Sequence, residues 1–179
     1  MITTVPERGR LVALALVWLA GQWLVIAAKA LHLASARQDS ERFMKAFEAA
    51  GKALVAQYDA YEVLPGEHLD GTFTLGENIG DLAGLTIAYD AYKKSLGGKP
   101  APVIDGLTGD QRFFMGYAQV WRSKYREETA RQLLLVDPHS PAMYRVNGIV
   151  RNFPEWYKAF GVKPGDALYL PPEQRIRIW

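Results

Sequence analysis

In several separate stretches of this chain the apolar residues return every three or four positions, and segments that alternate every second residue are scarce. That repeat belongs to a helix face rather than a strand, so it commits most of the chain to packed helices. The first stretch follows Asp39 and Ser40, both good N-caps. It sets Phe43, Phe47, Leu54 and Tyr58 along a helix running to about Tyr61, weakened by Gly51. Pro65, Gly66 and Gly71 then interrupt the pattern in an exposed loop with a short extended piece at 72–75. The second stretch, "TLGENIGDLAGLTIAYDAY" at 74–92, carries Ile79, Leu82, Leu85, Ile87, Ala88 and Tyr92. It stops near Gly97 and Gly98, ahead of Pro100. After a linker, Thr108 and Gln111 form a capping box for a third helix. Its aromatic stripe of Phe113 or Phe114, Tyr117, Trp121 and Tyr125 reads as core. A Pro-bounded turn leads into a helix from Pro141, and "FPEWYKAF" adds a last amphipathic piece. The Pro- and Gly-rich tail lies along the surface, pinned by Trp179. The fold class is mainly α.

The totals narrow the function. A chain of 179 residues, 49% hydrophobic and 22% charged, is long enough to bury one real core. A formal charge of +2, spread evenly, is too small to suggest a nucleic-acid partner. The absence of cysteine removes disulfides, thiolate metal sites and cysteine nucleophiles. Histidine chemistry has three candidates: His32, His68 and His139.

The head of the chain is different. Residues 11–28 carry no charge and follow Arg8 and Arg10. As a helix this run can cross a bilayer core. With Ala-Ser-Ala at 34–36 it also reads as a signal peptide, and a buried core helix is the third possibility. The expected organisation is a hydrophobic segment at 1–38 (an anchor, a signal, or a start that is not native) and a folded domain at 39–179. Membrane contact would come through residues 11–28, and the location would be membrane-anchored or secreted.

Two groups of residues could carry chemistry. Glu77 and Asp81 lie one helical turn apart on one face. Near a helix start the dipole favours both, so solvated helix-start acids are one reading. Gly76, Gly80 and Gly84 favour another. Glycine inside a helix costs about 1 kcal/mol relative to alanine, so two within a turn ask for close approach by something. A glutamate ligand to zinc, with the acid one turn on orienting a neighbouring imidazole, would be such a reason. The second group is "DPHSPAMYR". His139 sits in a turn stiffened by Pro138 and Pro141, where an imidazole beside Asp137 can donate to a developing oxyanion. Arg145, six residues on, offers a planar fork for a carbonyl or carboxylate. The alternative is a histidine packed in a turn and an arginine bridging to an acid. His68 reads as a solvated loop residue and His32 as structural or interfacial.

From about Ser40 to Trp179 the chain resembles the C-terminal part of the neprilysin-like zinc metalloendopeptidases, which include endothelin-converting enzymes and bacterial oligopeptidases. The likeness rests on "QYDAY", "LGENIGDLAGL", "AYDAY", "FFMGYAQVW", "DPHSPAMYRVNG", "NFPEWYKAF" and the closing "RIW", in matching order and spacing. It implies a mainly α, thermolysin-like catalytic core with peptides as substrates, and in this chain the hydrophobic N-terminal helix precedes it. It implies that Glu77 is the third zinc ligand and that Asp81 hydrogen-bonds a zinc-binding histidine. It further implies that His139 stabilises the tetrahedral intermediate and that Arg145 contacts the substrate backbone.

One departure is severe. The family's other two zinc ligands and its general base lie in an HExxH helix, and no HExxH occurs in this sequence. "GEHLD" brings Glu and His together at the wrong spacing. Catalytic zinc takes three protein ligands plus water, so one carboxylate should hold zinc weakly or not at all. The expectation is a zinc metalloendopeptidase by family, incomplete as written and inactive alone. The competing expectation is a membrane-tethered, non-catalytic module that keeps His139 and Arg145 to bind peptides.

Overall fold

A computed structural model describes the backbone of residues 7–178 and the side chains of residue 24 and residues 26–178. The chain divides into two compact units, residues 1–45 and 46–179. Helix α1 spans Glu7–Asp59. The start expected at Asp39 and Ser40 is not a helix boundary, because no Gly or Pro interrupts residues 22–50 and helix formers dominate there. Most of the run at 11–28 lies outside the described side chains. Among the described residues no helix is long and apolar enough to cross a membrane. Trp179, the expected anchor of the tail, also lies outside the described residues.

In the second unit, the last turns of α1 bury Leu54 and Tyr58 completely. Strands β1 (Glu62–Leu64) and β2 (Glu67–His68) follow as a small antiparallel hairpin, turned at Gly66 with φ of 76°. The extended piece therefore sits at 62–68 and not at 72–75. Residues 71–74 form a turn instead, because Asp70 captures it from both ends. Its carboxylate accepts from the Phe73 N–H at 2.8 Å and its carbonyl from the Thr74 hydroxyl at 2.9 Å.

Helix α2 (Leu75–Ser95) buries Asn78, Leu82, Leu85 and Tyr89. Ile87, expected on the apolar stripe, is 65% exposed, and Tyr89 takes the inward position. The chain turns away at Gly97 and Gly98, both at positive φ, as the sequence implies. Helix α3 (Gly109–Val120) begins with the expected capping box, Gln111 N–H to Thr108 Oγ1 at 3.2 Å and Thr108 N–H to Gln111 Oε1 at 2.9 Å. It ends at Trp121, earlier than the aromatic stripe suggests, and Tyr125 is left exposed in a loop. Helix α4 (Glu127–Val136) buries none of its residues. Helices α5 (Ala142–Val150) and α6 (Pro154–Phe160) and a 3-10 turn at Pro172–Gln174 complete the order.

The core joins Leu54 and Tyr58 of α1 to Leu82 and Leu85 of α2, Phe114 of α3, Ile149 and Val150 of α5, and Ile176 and Ile178 of the tail. Asn152 ties the tail down. Its amide donates to Gly148 O at 2.8 Å and Gln57 Oε1 at 3.2 Å, and its oxygen accepts from the Ile176 N–H at 2.9 Å. Helix α5 comes close to α1 at Gly148, where an added Cβ would stand 2.7 Å from the Tyr58 hydroxyl oxygen and 2.9 Å from its ring. Gly148→Ala is therefore expected to cost about 1–3 kcal/mol of stability, read from the urea midpoint. At Gly84 an added Cβ meets nothing within 4 Å. Gly84→Ala should stabilise by up to about 1 kcal/mol, so equal effects at the two positions would refute the packing argument.

Candidate functional site

The site is held together by a buried link between two distant segments. Ser140 donates to Asn78 Oδ1 at 2.7 Å, and the Asn78 amide donates to Thr74 Oγ1 at 3.0 Å. Ser140 is 3% exposed and Asn78 1%, so neither group has water as an alternative partner. The link fastens the turn before α5 onto the first turn of α2, and the residues on either side of it meet as a consequence.

Glu77, in the first turn of α2, has Oε2 3.0 Å from His139 Nε2. The other ring nitrogen of His139, Nδ1, lies 2.7 Å from Asp137 Oδ1, which also accepts the His139 backbone N–H at 3.0 Å. Each ring nitrogen thus faces a carboxylate oxygen. The backbone N–H of His139, and then its ring, hold the Asp137 carboxyl below the usual carboxylate range.

One turn along α2, Asp81 takes Arg145 in a two-pronged pair: Nε to Oδ2 at 2.6 Å and Nη2 to Oδ1 at 2.7 Å. The side chains are 13% and 11% exposed for Arg145 and Asp81 respectively. The Asp81 hydrogen bonds raise the Arg145 pKa further above its ordinary value. Arg145 Nη2 is also 3.9 Å from Glu77 Oε2, and its guanidinium carbon lies 3.9 Å from the Trp121 ring centroid. Tyr117 donates to the Arg145 carbonyl at 2.7 Å. His139 and Arg145 line a cavity of about 270 Å³ together with Leu69, Trp121, Leu133 and Leu134.

All four residues singled out in the sequence, Glu77, Asp81, His139 and Arg145, therefore stand within one cluster. Asp81 differs in its partner. The family likeness implies an imidazole, whereas here both carboxylate oxygens are taken by Arg145. His68 stands apart on β2, exposed, with Nδ1 3.1 Å from Asp59 O, and His32 is exposed on α1.

The described residues do not fit a zinc ion. Glu77 offers one carboxylate, and one of its oxygens is already engaged by His139. Among the described residues no group of three or more His, Cys, Asp or Glu could hold a metal ion. What the cluster can do is donate. Arg145 presents a fixed cation whose Nη1 has no hydrogen-bond partner among the described residues, and His139 stands beside it at a cavity walled in part by Leu69, Leu133 and Leu134, where hydrogen bonds to a carbonyl are strong.

The sequence reading missed Asn78, Tyr117 and Trp121 as parts of the site. Asn78 could have been found as a polar residue at the head of the buried row 78, 82, 85, 89. Trp121 could have been found as the last aromatic before "RSKYREE", where the helical pattern gives way to charge.

The family described as peptidase family M13 matches residues 29–176. Endothelin-converting enzyme 1 of Cavia porcellus is 39% identical over 140 residues, covering 76% of this chain and 18% of that protein. Human neprilysin is 38% identical over 139 residues, covering 74% and 18%. Among solved structures, the zinc metalloprotease Zmp1 of Mycobacterium tuberculosis in complex with an inhibitor superposes with a TM-score of 0.72 at 56% identity. It covers 74% of this chain and 21% of that one. The chain thus spans about a fifth of the length of these relatives.

Proposed function

The chain belongs to peptidase family M13, and on that premise we propose that it is the C-terminal portion of a zinc metalloendopeptidase catalytic domain, supplying the substrate-holding half of the centre. Arg145 donates to a backbone carbonyl of a bound peptide, and His139 donates to the oxygen that becomes negative as the carbonyl is attacked. Asp137 holds the imidazole in place. Asp81 aims Arg145, and Glu77 is the one carboxylate offered toward a metal. The observation that carries this reading is the convergence of Glu77 with His139 at 3.0 Å and of Asp81 with Arg145 at 2.6 Å, across more than sixty residues of sequence.

The two imidazoles and the general base that zinc hydrolysis requires are not supplied by these residues, so peptide cleavage depends on a further segment carrying them. The open glycine face of α2 beside Glu77 supports this, because an added Cβ at Gly76, Gly80 or Gly84 meets nothing within 4 Å. The domain is taken to begin near residue 39, with residues 11–28 as a tether or export signal that places the protein outside the cytoplasm.

The test is direct. The purified chain with added zinc is expected to bind less than one equivalent of metal and to leave a quenched fluorescent peptide uncut. Cleavage that disappears in Glu77→Ala would overturn the incomplete-site reading. A second reading, a peptide-binding module without catalysis, is favoured by the fact that Arg145 and His139 are each oriented by a protein carboxylate, Asp81 and Asp137. It predicts that a chelator leaves peptide binding unchanged.

A further inference from the structure

We infer that Trp121 is the positioning residue of Arg145, its indole face fixing the guanidinium plane so that the corner left free by Asp81 serves a ligand carbonyl. The inference rests on the reading above that Arg145 meets a peptide backbone. Asp81 occupies Nε and Nη2, and Nη1 has no hydrogen-bond partner among the described residues. A planar fork gripped along one edge can still swing about that edge. The indole removes this freedom by lying 3.9 Å from the guanidinium carbon, in the range where arginine stacks on an aromatic face.

The placement of Trp121 in the chain supports this role over a place in the core. The aromatic core pairs Tyr89, Phe113, Phe114 and Phe153 ring against ring, and among the described rings Trp121 joins none of them. It stands at the C-cap of α3, where it faces Arg145 and lines the cavity. Tyr117, one helical turn earlier, donates to the carbonyl of the same arginine at 2.7 Å. The last turn of α3 thereby holds Arg145 at both ends, backbone by Tyr117 and guanidinium by Trp121.

The test uses the full chain and N-acetyl-leucyl-leucine amide, a neutral blocked dipeptide, titrated by NMR. Trp121→Leu is expected to weaken binding about 10-fold, whereas Trp121→Phe, which keeps a ring face, stays within about 3-fold of the parent. Equal losses in the two variants would make Trp121 a plain cavity wall and overturn the inference. Unchanged binding in Trp121→Leu alongside a large loss in Arg145→Met would overturn it while leaving the role of Arg145 intact. Unchanged binding in Arg145→Met, or no binding by the parent chain, would remove the underlying reading and the inference with it. Should Trp121→Leu fail to fold, the parent chain decides. Its Arg145 Nε–H resonance is expected to be displaced upfield by the indole ring and to move on addition of the dipeptide. A resonance at the ordinary arginine position would overturn the inference.

Discussion

Replacing Asp81 with alanine is expected to lower the unfolding free energy by about 3–5 kcal/mol, the range for removing one partner of a buried ion pair. The expectation follows from position more than from the strength of the pair. Arg145 and Asp81 are 13% and 11% exposed, and both Asp81 oxygens are committed to the arginine at 2.6 and 2.7 Å. With the carboxylate gone, the guanidinium keeps its charge and its desolvation, and the nearest remaining acid, Glu77, is 3.9 Å away and 44% exposed. The exposed pair Arg37–Glu41 makes the contrast. Its side chains are 83% and 58% exposed, and Glu41→Ala should cost no more than about 1 kcal/mol. Because the Asp81 penalty is that of an orphaned charge, Asp81→Leu combined with Arg145→Met should recover most of the loss. Urea midpoints of the single and double variants read both statements. A single-variant loss under about 1 kcal/mol would show that water reaches the pair freely.

The parts of this fold that the sequence carried are those decided within one turn of helix. The capping box of Thr108 and Gln111 is a reciprocal pair three residues apart, and both of its bonds form. The end of α2 is set by two glycines whose positive φ other residues resist. Glu77 and Asp81 share a face because four residues make about one turn. Where decisions are made by packing, the pattern misled. Tyr89 rather than Ile87 points inward, because at about 100° per residue Ile87 falls opposite the buried row 78, 82, 85 and 89. A hairpin with strands of three and two residues is too short to show alternation.

The meeting of α2 with the turn at 137–141 has no local signature at all. It depends on Ser140 finding Asn78 across the chain, and what suggested it beforehand was likeness to a family, not periodicity or composition. The same holds for Arg145. Its six-residue distance from His139 says nothing of Asp81, and its pairing needed the fold.

Above pH 10 the chain is expected to lose stability steeply, with Tyr58 as the largest single contributor. Tyr58 is fully buried and donates its phenol proton to the Tyr144 carbonyl at 3.2 Å. Burial first, and then the neighbouring Tyr61 and Asp81, push its pKa well above the ordinary tyrosine value, and Tyr117 is raised in the same direction by burial and Asp81. The sign follows from proton counts. Below about pH 10 both phenols are neutral in the folded and unfolded chain alike, so their contribution is fully present and flat. As pH rises past the unfolded value, the unfolded chain releases protons that the folded chain retains. Stability then falls by about 1.4 kcal/mol per pH unit for each such tyrosine, until the folded group itself ionises. Tyr58→Phe removes one of these slopes. It should cost about 0.5–1.5 kcal/mol at neutral pH for the lost hydrogen bond, and then close that gap on its parent within roughly one pH unit above 10. Urea midpoints measured from pH 8 to pH 12 on both chains would show the two curves crossing. Curves that stay parallel across that range would mean the Tyr58 phenol already reaches water in the folded chain.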